Sequence, residues 1–418
     1  MATWLGVNPQ VLILAVARMT ESIGNSFLIV VLPLFIASEF VTGATYGLTE
    51  VAITGIVLSL FGFVNSPLQP LTGRLSDRTG RRKVFVLLGL VLIGTASFVY
   101  SFATTYWHLI GIRVFQGIAG ALIIPTTVAL VNDLAAAGNR GGNMGTYNTF
   151  RLAGFGTGPI MAGLVVAGGP YTLPTPGGGL EITGFDATFY LAALTAWVSF
   201  GLVLILVRDP TPAPGYFDRP PGAISILDRD GPHTLDPVFT LGVVSFFMAV
   251  GIALFATLGD IINARLTQGP EMFGLQFAAF ILAQILLQAP IGRATDFYGR
   301  KRFVVWGMVL LVPTTVVQGF IFDPWLMVGA RFAQGVAGAM VFAPALALAG
   351  DLAPTGRSGA TLSVLTMAFG FGIAFGPLVS GFLVEWGFAV PFIFGAILAG
   401  IGIPLVYTQV EETVEIES

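Results

Sequence analysis

The sequence has no cysteine and only two histidines, His108 and His233, and charged residues fill just 10% of its 418 positions. Without cysteine there is no disulfide and no thiolate metal site. No His/Glu metal spacing, nucleophile elbow or Gly-rich phosphate loop ending in Lys-Ser/Thr is present, so neither an enzyme nor an ATP-driven pump is expected. No metal or cofactor is expected either. A soluble domain carries roughly 25% charged residues; this chain has too few to cover a water-facing surface. The net charge of −3 argues against a nucleic-acid partner. A cleavable signal peptide is not expected, because the first residues lack a basic segment and the first apolar run is too long.

What the chain has instead is apolar length. It is 55% hydrophobic, with a mean hydropathy of +0.86. A bilayer core of about 30 Å needs roughly 20 apolar residues per helix. That rule predicts twelve spans, near 10–37, 47–71, 84–103, 107–131, 145–168 and 187–207, then 238–261, 273–291, 303–321, 325–349, 359–384 and 387–408. The fold class is therefore an all-α membrane protein in contact with a lipid bilayer.

Basic residues set the expected orientation. Even-numbered loops carry Arg74, Arg78, Arg81, Arg82, Lys83, Arg140, Arg208, Arg219, Arg229, Arg293, Arg300, Lys301, Arg302 and Arg357, whereas odd-numbered loops hold only Arg265. Positive loops stay inside, which predicts a multi-pass cell-membrane protein with both termini cytoplasmic. Residues 169–186, rich in Gly and Pro, form a longer outward loop. The acidic tail, Glu411 to Ser418, reads as a solvated end.

A ten-residue motif occurs twice. Gly73-Arg74-Leu75-Ser76-Asp77-Arg78-Thr79-Gly80-Arg81-Arg82 is echoed half a chain later by Gly292-Arg293-Ala294-Thr295-Asp296-Phe297-Tyr298-Gly299-Arg300-Lys301. Arg113-Val114-Phe115-Gln116-Gly117-Ile118-Ala119-Gly120 returns as Arg331-Phe332-Ala333-Gln334-Gly335-Val336-Ala337-Gly338, and Asp133 as Asp351. Gly154, Gly158, Pro159 and Gly163 return as Gly372, Gly376, Pro377 and Gly381. A period this long is a domain duplication; solenoid repeats run roughly 20–50 residues. The organisation predicted is a six-helix half over 1–207, a Pro/Gly/Asp-rich cytoplasmic linker over 208–237 with room for a short surface helix, and a second half over 238–418 that ends in the acidic tail.

These motifs resemble those of the major facilitator superfamily. The duplicated Gly-x-x-x-Asp-x-x-Gly-Arg segment between spans two and three, and eight and nine, is similar to the superfamily's signature loop. Arg113-x-x-Gln116-Gly117 is similar to its fourth-span motif. Gly154-x-x-x-Gly158-Pro159-x-x-Ala162-Gly163 resembles the fifth-span motif of the drug:proton antiporter branch, with Ala162 where Gly is common. The resemblance covers essentially the whole chain. It implies two pseudo-symmetric halves, and an Asp77 that locks them on the cytoplasmic side, with Asp296 as its counterpart. It also implies secondary active transport of a small molecule by alternating access.

Local chemistry adds to that. Gly73 and Gly80 are expected to permit tight turns, and Arg81, Arg82 and Lys83 to anchor the loop at the anionic inner surface, with simple topogenic charge as the alternative; Arg78 belongs to the same gating loop. In the repeat, Gly292, Gly299 and Arg300 take the matching places. Charges within spans are functional candidates by default: Arg18, Glu21, Arg113, Arg151 and Arg331, with Asp260 near the end of span seven. Glu21 lies about eleven residues into span one, roughly 17 Å deep at 1.5 Å per residue, and Arg113 falls at a similar level in span four. A guanidinium favours the carboxylate and burial without one favours the acid, so Glu21 and Arg113 are the candidate proton-coupling pair, with a fixed structural ion pair as the alternative. Met248 occupies the Glu21 place in the second half, which puts coupling in the first.

Gly154 and Gly158 give span five a smooth face, expected to pack on its symmetry mate, span eleven, at Gly376 and Pro377; Pro159 favours a kink. The substrate path is expected near the midplane, from Asn25, Asn65, Gln69, Tyr147, Asn148, Arg151 and Phe155 together with Gln276, Gln284, Gln288 and Phe369. The 35 phenylalanines suit an apolar cavity. The function expected is proton-coupled export of small hydrophobic or amphipathic compounds by a protein working as a monomer. Uptake by symport or uniport, and a non-transporting receptor or scaffold, are the alternatives.

Overall fold

The computed structural model describes residues 8–135, 140–175, 178–209, 226–228, 233–352 and 358–413. Twelve helices among them are long and apolar enough to cross a membrane. In chain order the helices are α1 (Pro9–Ile36), α2 (Glu50–Thr79), α3 (Arg82–Val99), α4 (Tyr106–Leu134), α5 (Arg140–Gly168), α6 (Gly184–Leu206), α7 (Pro237–Thr257), α8 (Gly259–Leu266), α9 (Pro270–Tyr298), α10 (Arg300–Val316), α11 (Pro324–Asp351), α12 (Ser358–Leu383) and α13 (Val390–Gln409). Only α8 is too short to span.

Helix starts follow local chemistry. Asn8, Asp236 and Asp323 each precede a proline at the first helical position, and their side chains accept from the amides of the first turn. Proline has no amide to leave unsatisfied there, and the Asn or Asp oxygen takes the next ones. Thr183 and Asp186 form a reciprocal cap on α6.

Contacts divide the chain into two units. The first holds Met1–Arg219 with Gly259–Ala278, and the second holds Pro220–Leu258 with Ala279–Ser418. In the first, α1 packs on α5 and α6, α2 on α4, and α3 on α4 and α6; in the second, α7 packs on α12 and α13, and α10 on α11 and α13. In each unit the helix ends that carry the basic residues of the even loops form its basic end.

Several expectations are revised. The duplicated motif is mostly helix: Gly73 to Thr79 continue α2, and the turn is only Gly80-Arg81 before α3. Gly73 therefore makes no turn. Gly80 does, at φ 62°, its N–H donating to the Ser76 carbonyl at 3.0 Å; this left-handed cap suits glycine. In the repeat, Gly299 at φ 92° leads directly into α10 at Arg300, a turn one residue shorter. Arg300 thus stands in the structure where Arg82 does, although the motif pairs it with Arg81. Span seven ends at Thr257, and Asp260 lies in the first turn of α8. The 169–186 loop contains an antiparallel hairpin, β1 (Tyr171–Thr175) with β2 (Gly178–Ile182), in register Tyr171 with Ile182. Most of the expected linker, including its surface helix, lies outside the described residues; its described part has a bridge between Leu227 and Leu235.

Candidate transport and gating sites

Glu21 sits mid-helix in α1 and is 4% exposed. Its partner is Arg18, whose Nη1 lies 2.5 Å from Glu21 Oε2. This corrects the expected pairing of Glu21 with Arg113. Depth alone does not fix a partner: residues at i and i+3 share a helix face, and Arg18 already occupies that of Glu21. Arg18 Nε is buried with no hydrogen-bond partner among the described residues. Arg151 and Tyr147 of α5 complete the cluster: Arg151 is within electrostatic reach of Glu21, Arg18 and Tyr147, and its Nε donates to Asn148 Oδ1 at 3.1 Å. Asn25, a turn beyond Glu21, is part-buried, and Asn148 is exposed.

The packing of α5 on α1 brings these residues together. A Cβ on Gly154 would collide with the Met19 carbonyl, and one on Gly158 would stand 2.5 Å from the Ile23 carbonyl oxygen. The smooth face of span five therefore lies on α1 of its own unit, which corrects the expectation that it packs on its symmetry mate. The repeat does the same: Gly372 abuts the Phe246 carbonyl and Gly376 the Val250 carbonyl of α7. Thr257 Oγ1 also donates to the Pro377 carbonyl at 3.0 Å. Gly163 and Pro159 meet a different helix. A Cβ on Gly163 would lie 2.5 Å from the Pro270 carbonyl oxygen, and one on Gly274 would collide with the Pro159 carbonyl, so the start of α9 closes on α5 backbone to backbone.

Arg113 belongs to a separate clasp. Its Nη1 donates to Gln116 Oε1 at 2.9 Å, which also accepts from Tyr100 Oη at 3.1 Å. Gln116 Nε2 donates to Ser97 Oγ at 3.3 Å, and the guanidinium stands 5.2 Å from the Phe61 ring centre. The second unit repeats this. Arg331, fully buried, donates to Gln334 and lies 4.3 and 4.9 Å from the Phe255 and Phe280 ring centres, while Gln334 donates to Thr315 Oγ1 at 3.0 Å. The Arg-x-x-Gln spacing thus makes the glutamine the acceptor that its own arginine needs, and the ring faces add cation–π attraction.

At the basic end the arginines divide. Arg74, Arg78, Arg81 and Arg293 are exposed, but Arg82 is 4% exposed. Arg82 bridges two helices, with Nη2 3.2 Å from Asp77 Oδ1 and Nε 2.9 Å from Asp133 Oδ2. It is a buried bridge and not the surface anchor expected of it. Arg300 forms the matching pair with Asp351 and donates to the Ala347 carbonyl at 3.2 Å. The side chain of Asp296 lies outside the described residues. Two acids that sequence reasoning missed cap the helices after the turns. Asp209 accepts from the Lys83 amide at 2.8 Å, and Glu412 accepts from the Arg300 and Lys301 amides, both at 2.9 Å. Glu412 is therefore not part of a solvated tail. Each lysine reaches back, Lys83 to the Leu204 carbonyl at 2.7 Å and Lys301 to the Tyr407 carbonyl at 2.9 Å. The acids escaped notice because they stand at unequal distances from their repeats.

Comparisons with known proteins decide the family. The Major Facilitator Superfamily model matches residues 14–258 and 239–417. The chain belongs to that superfamily. The quinolone resistance protein NorA of Staphylococcus aureus strain COL is 23% identical over 416 residues, spanning 96% of this chain and 97% of NorA. Among solved structures, the human organic anion transporter MFSD10 aligns with a TM-score of 0.65 at 20% identity, covering 95% of this chain and 98% of that one. A bacterial homologue of the human lysosomal transporter Spinster, inward-facing and occupied, gives 0.73 at 14% identity, covering 95% of both chains. These structural likenesses establish the major facilitator fold.

A major facilitator protein is a transporter of small molecules and not an enzyme, and this one is a multi-pass plasma-membrane protein. The remaining path candidates of this superfamily member lie on α2, α5, α9 and α12. Gln69 donates to Asn65 at 3.2 Å. Gln276 exchanges hydrogen bonds with Gln268, which also donates to Asn263 at 3.0 Å. Gln284 lies beside Gly338, Gln288 is part-buried, Phe155 lies 6.0 Å from Phe277, and the Phe369 and Phe342 ring centres are 4.7 Å apart with the planes tilted by 46°.

Proposed function

We propose that this transporter exports small hydrophobic or amphipathic compounds in exchange for protons by alternating access, as a monomer. The basic end and both termini face the cytoplasm, following the positive loops. The observation that carries the reading is Glu21, a carboxylate 4% exposed in the middle of a membrane span, where an ionisable group is costly and functional by default. Ionised, it holds Arg18. Protonated, it no longer attracts Arg18, and the charge of the cluster rises by one. A change of charge inside α1 that alters its hold on α5 is a means of coupling a proton to a conformational step. The family relationship to NorA, whose name reports quinolone resistance, supports drug-like compounds as the cargo. Asp77 and Arg82 with Asp133, and Arg300 with Asp351, brace the gate at the basic end, and each of the repeats 1–207 and 238–418 moves as one half.

The test is proton movement in sealed proteoliposomes challenged with aromatic compounds, wild type against Glu21→Gln. Substrate-triggered proton flux that vanishes in the variant is expected. Substrate movement without proton flux, unchanged by the substitution, overturns the coupling and leaves a uniporter or another driving ion.

A further inference from the structure

The Arg18, Glu21, Arg151 cluster is unbalanced. Two guanidiniums face one carboxylate, and the charged side chains that act on Arg151 are Arg18 and Glu21. Glu21 is committed to Arg18 at 2.5 Å, so Arg151 supplies the uncompensated charge. Arg151 donates through Nε to Asn148, and its two Nη nitrogens have no protein partner among the described residues.

On α5, exposed Asn148 and half-buried Arg151 and Phe155 share one open face within about 60° of arc, while Gly154 and Gly158, on the arc beside Arg151, are sealed on α1. Acyl chains offer an amide or a guanidinium no hydrogen bond, and such groups face water or protein inside a membrane. This face therefore borders an aqueous space that a solute can enter, and Phe155 beside Arg151 provides an apolar surface there. A guanidinium is a donor only. What it offers an incoming molecule is recognition of an oxygen acceptor and repulsion of a cation.

We infer that Arg151 is the specificity-determining residue of the substrate path: it admits aromatic or aliphatic compounds whose polar end is an uncharged or acidic hydrogen-bond acceptor, and it rejects lipophilic cations. This rests on the transport reading above and names its substrate class. Repulsion between unit charges about 8 Å apart at an effective dielectric near 20 corresponds to discrimination of about 10–100-fold.

The experiment uses three probes with one ring system: 1-naphthylmethanol, 1-naphthylacetate and 1-naphthylmethylammonium. Binding to the purified full chain is read by fluorescence and proton flux in proteoliposomes, for wild type, Arg151→Gln and Arg151→Lys. Wild type is expected to bind the alcohol and the acetate at least about tenfold more tightly than the ammonium. In Arg151→Gln the ammonium gains about tenfold and the acetate loses about tenfold. Arg151→Lys, which keeps the charge, retains the wild-type order. A gain of cation binding cannot arise from misfolding. The inference is overturned if wild type binds the ammonium as tightly as the alcohol, if Arg151→Gln leaves the order unchanged, or if none of the probes binds. Proton flux separates the two readings. Flux with an unfiltered ammonium rejects the filter and keeps the exporter; an intact binding order with no flux from any probe keeps the filter and rejects proton coupling.

Discussion

Replacing Arg82 tests the bridge at the basic end. Its guanidinium is 5% exposed and contacts Asp133, 26% exposed, at 2.9 Å and Asp77, 43% exposed, at 3.2 Å. Removing one partner of a buried pair costs about 3–5 kcal/mol, whereas exposed pairs contribute about 0–1 kcal/mol. Here the cation is buried and both acids reach solvent, so they can rehydrate once the arginine is gone. The expected cost of Arg82→Gln therefore falls between those limits, at about 2–3 kcal/mol. Asp133 is the closer and more buried partner and should carry most of it. Thermal melting in detergent of Arg82→Gln, Asp133→Asn, Asp77→Asn and the double variants gives the two couplings. The Arg82–Asp133 coupling is expected at about 1–2 kcal/mol and the Arg82–Asp77 coupling below about 1 kcal/mol. Equal couplings, or an Arg82→Gln variant that melts with wild type, would refute the reasoning.

Gly158→Leu should fail to assemble α5 on α1, because its Cβ would meet the Ile23 carbonyl at 2.5 Å; loss of monodisperse protein in gel filtration checks this, and normal melting would contradict it. Gly80→Val places a β-branched residue at φ 62° and is expected to cost about 1–2 kcal/mol, read as a lower melting temperature. Glu412→Ala removes the acceptor for two helix-start amides at 2.9 Å and should cost about 1–2 kcal/mol, with Glu412→Gln retaining part of it. Gln116→Leu leaves the buried Arg113 without the carbonyl it bonds at 2.9 Å. It should destabilise by about 2–3 kcal/mol, and a Gln116→Leu/Arg113→Met double variant should recover much of the loss.

Hydropathy and repetition are local properties of a chain, and the sequence by itself determined what depends on them. It located twelve spans to within a few residues over most of their lengths, the duplication, the family, and the isolation of Glu21 as a buried acid in span one. Partnership was decided only in three dimensions. Depth arithmetic placed Glu21 level with Arg113 but carried no information on which way either side chain turns about its helix axis, and Arg18 proved to be the partner. The small-residue pattern of span five announced a close helix approach without naming the neighbour, which is α1. Asp209 and Glu412 looked like linker and tail because their work, capping α3 and α10, depends on the ends of α6 and α13 arriving beside those helix starts. Arg82 and Arg81 are indistinguishable in a row of basic residues; one residue of helix phase buries the first between two aspartates and leaves the second in solvent.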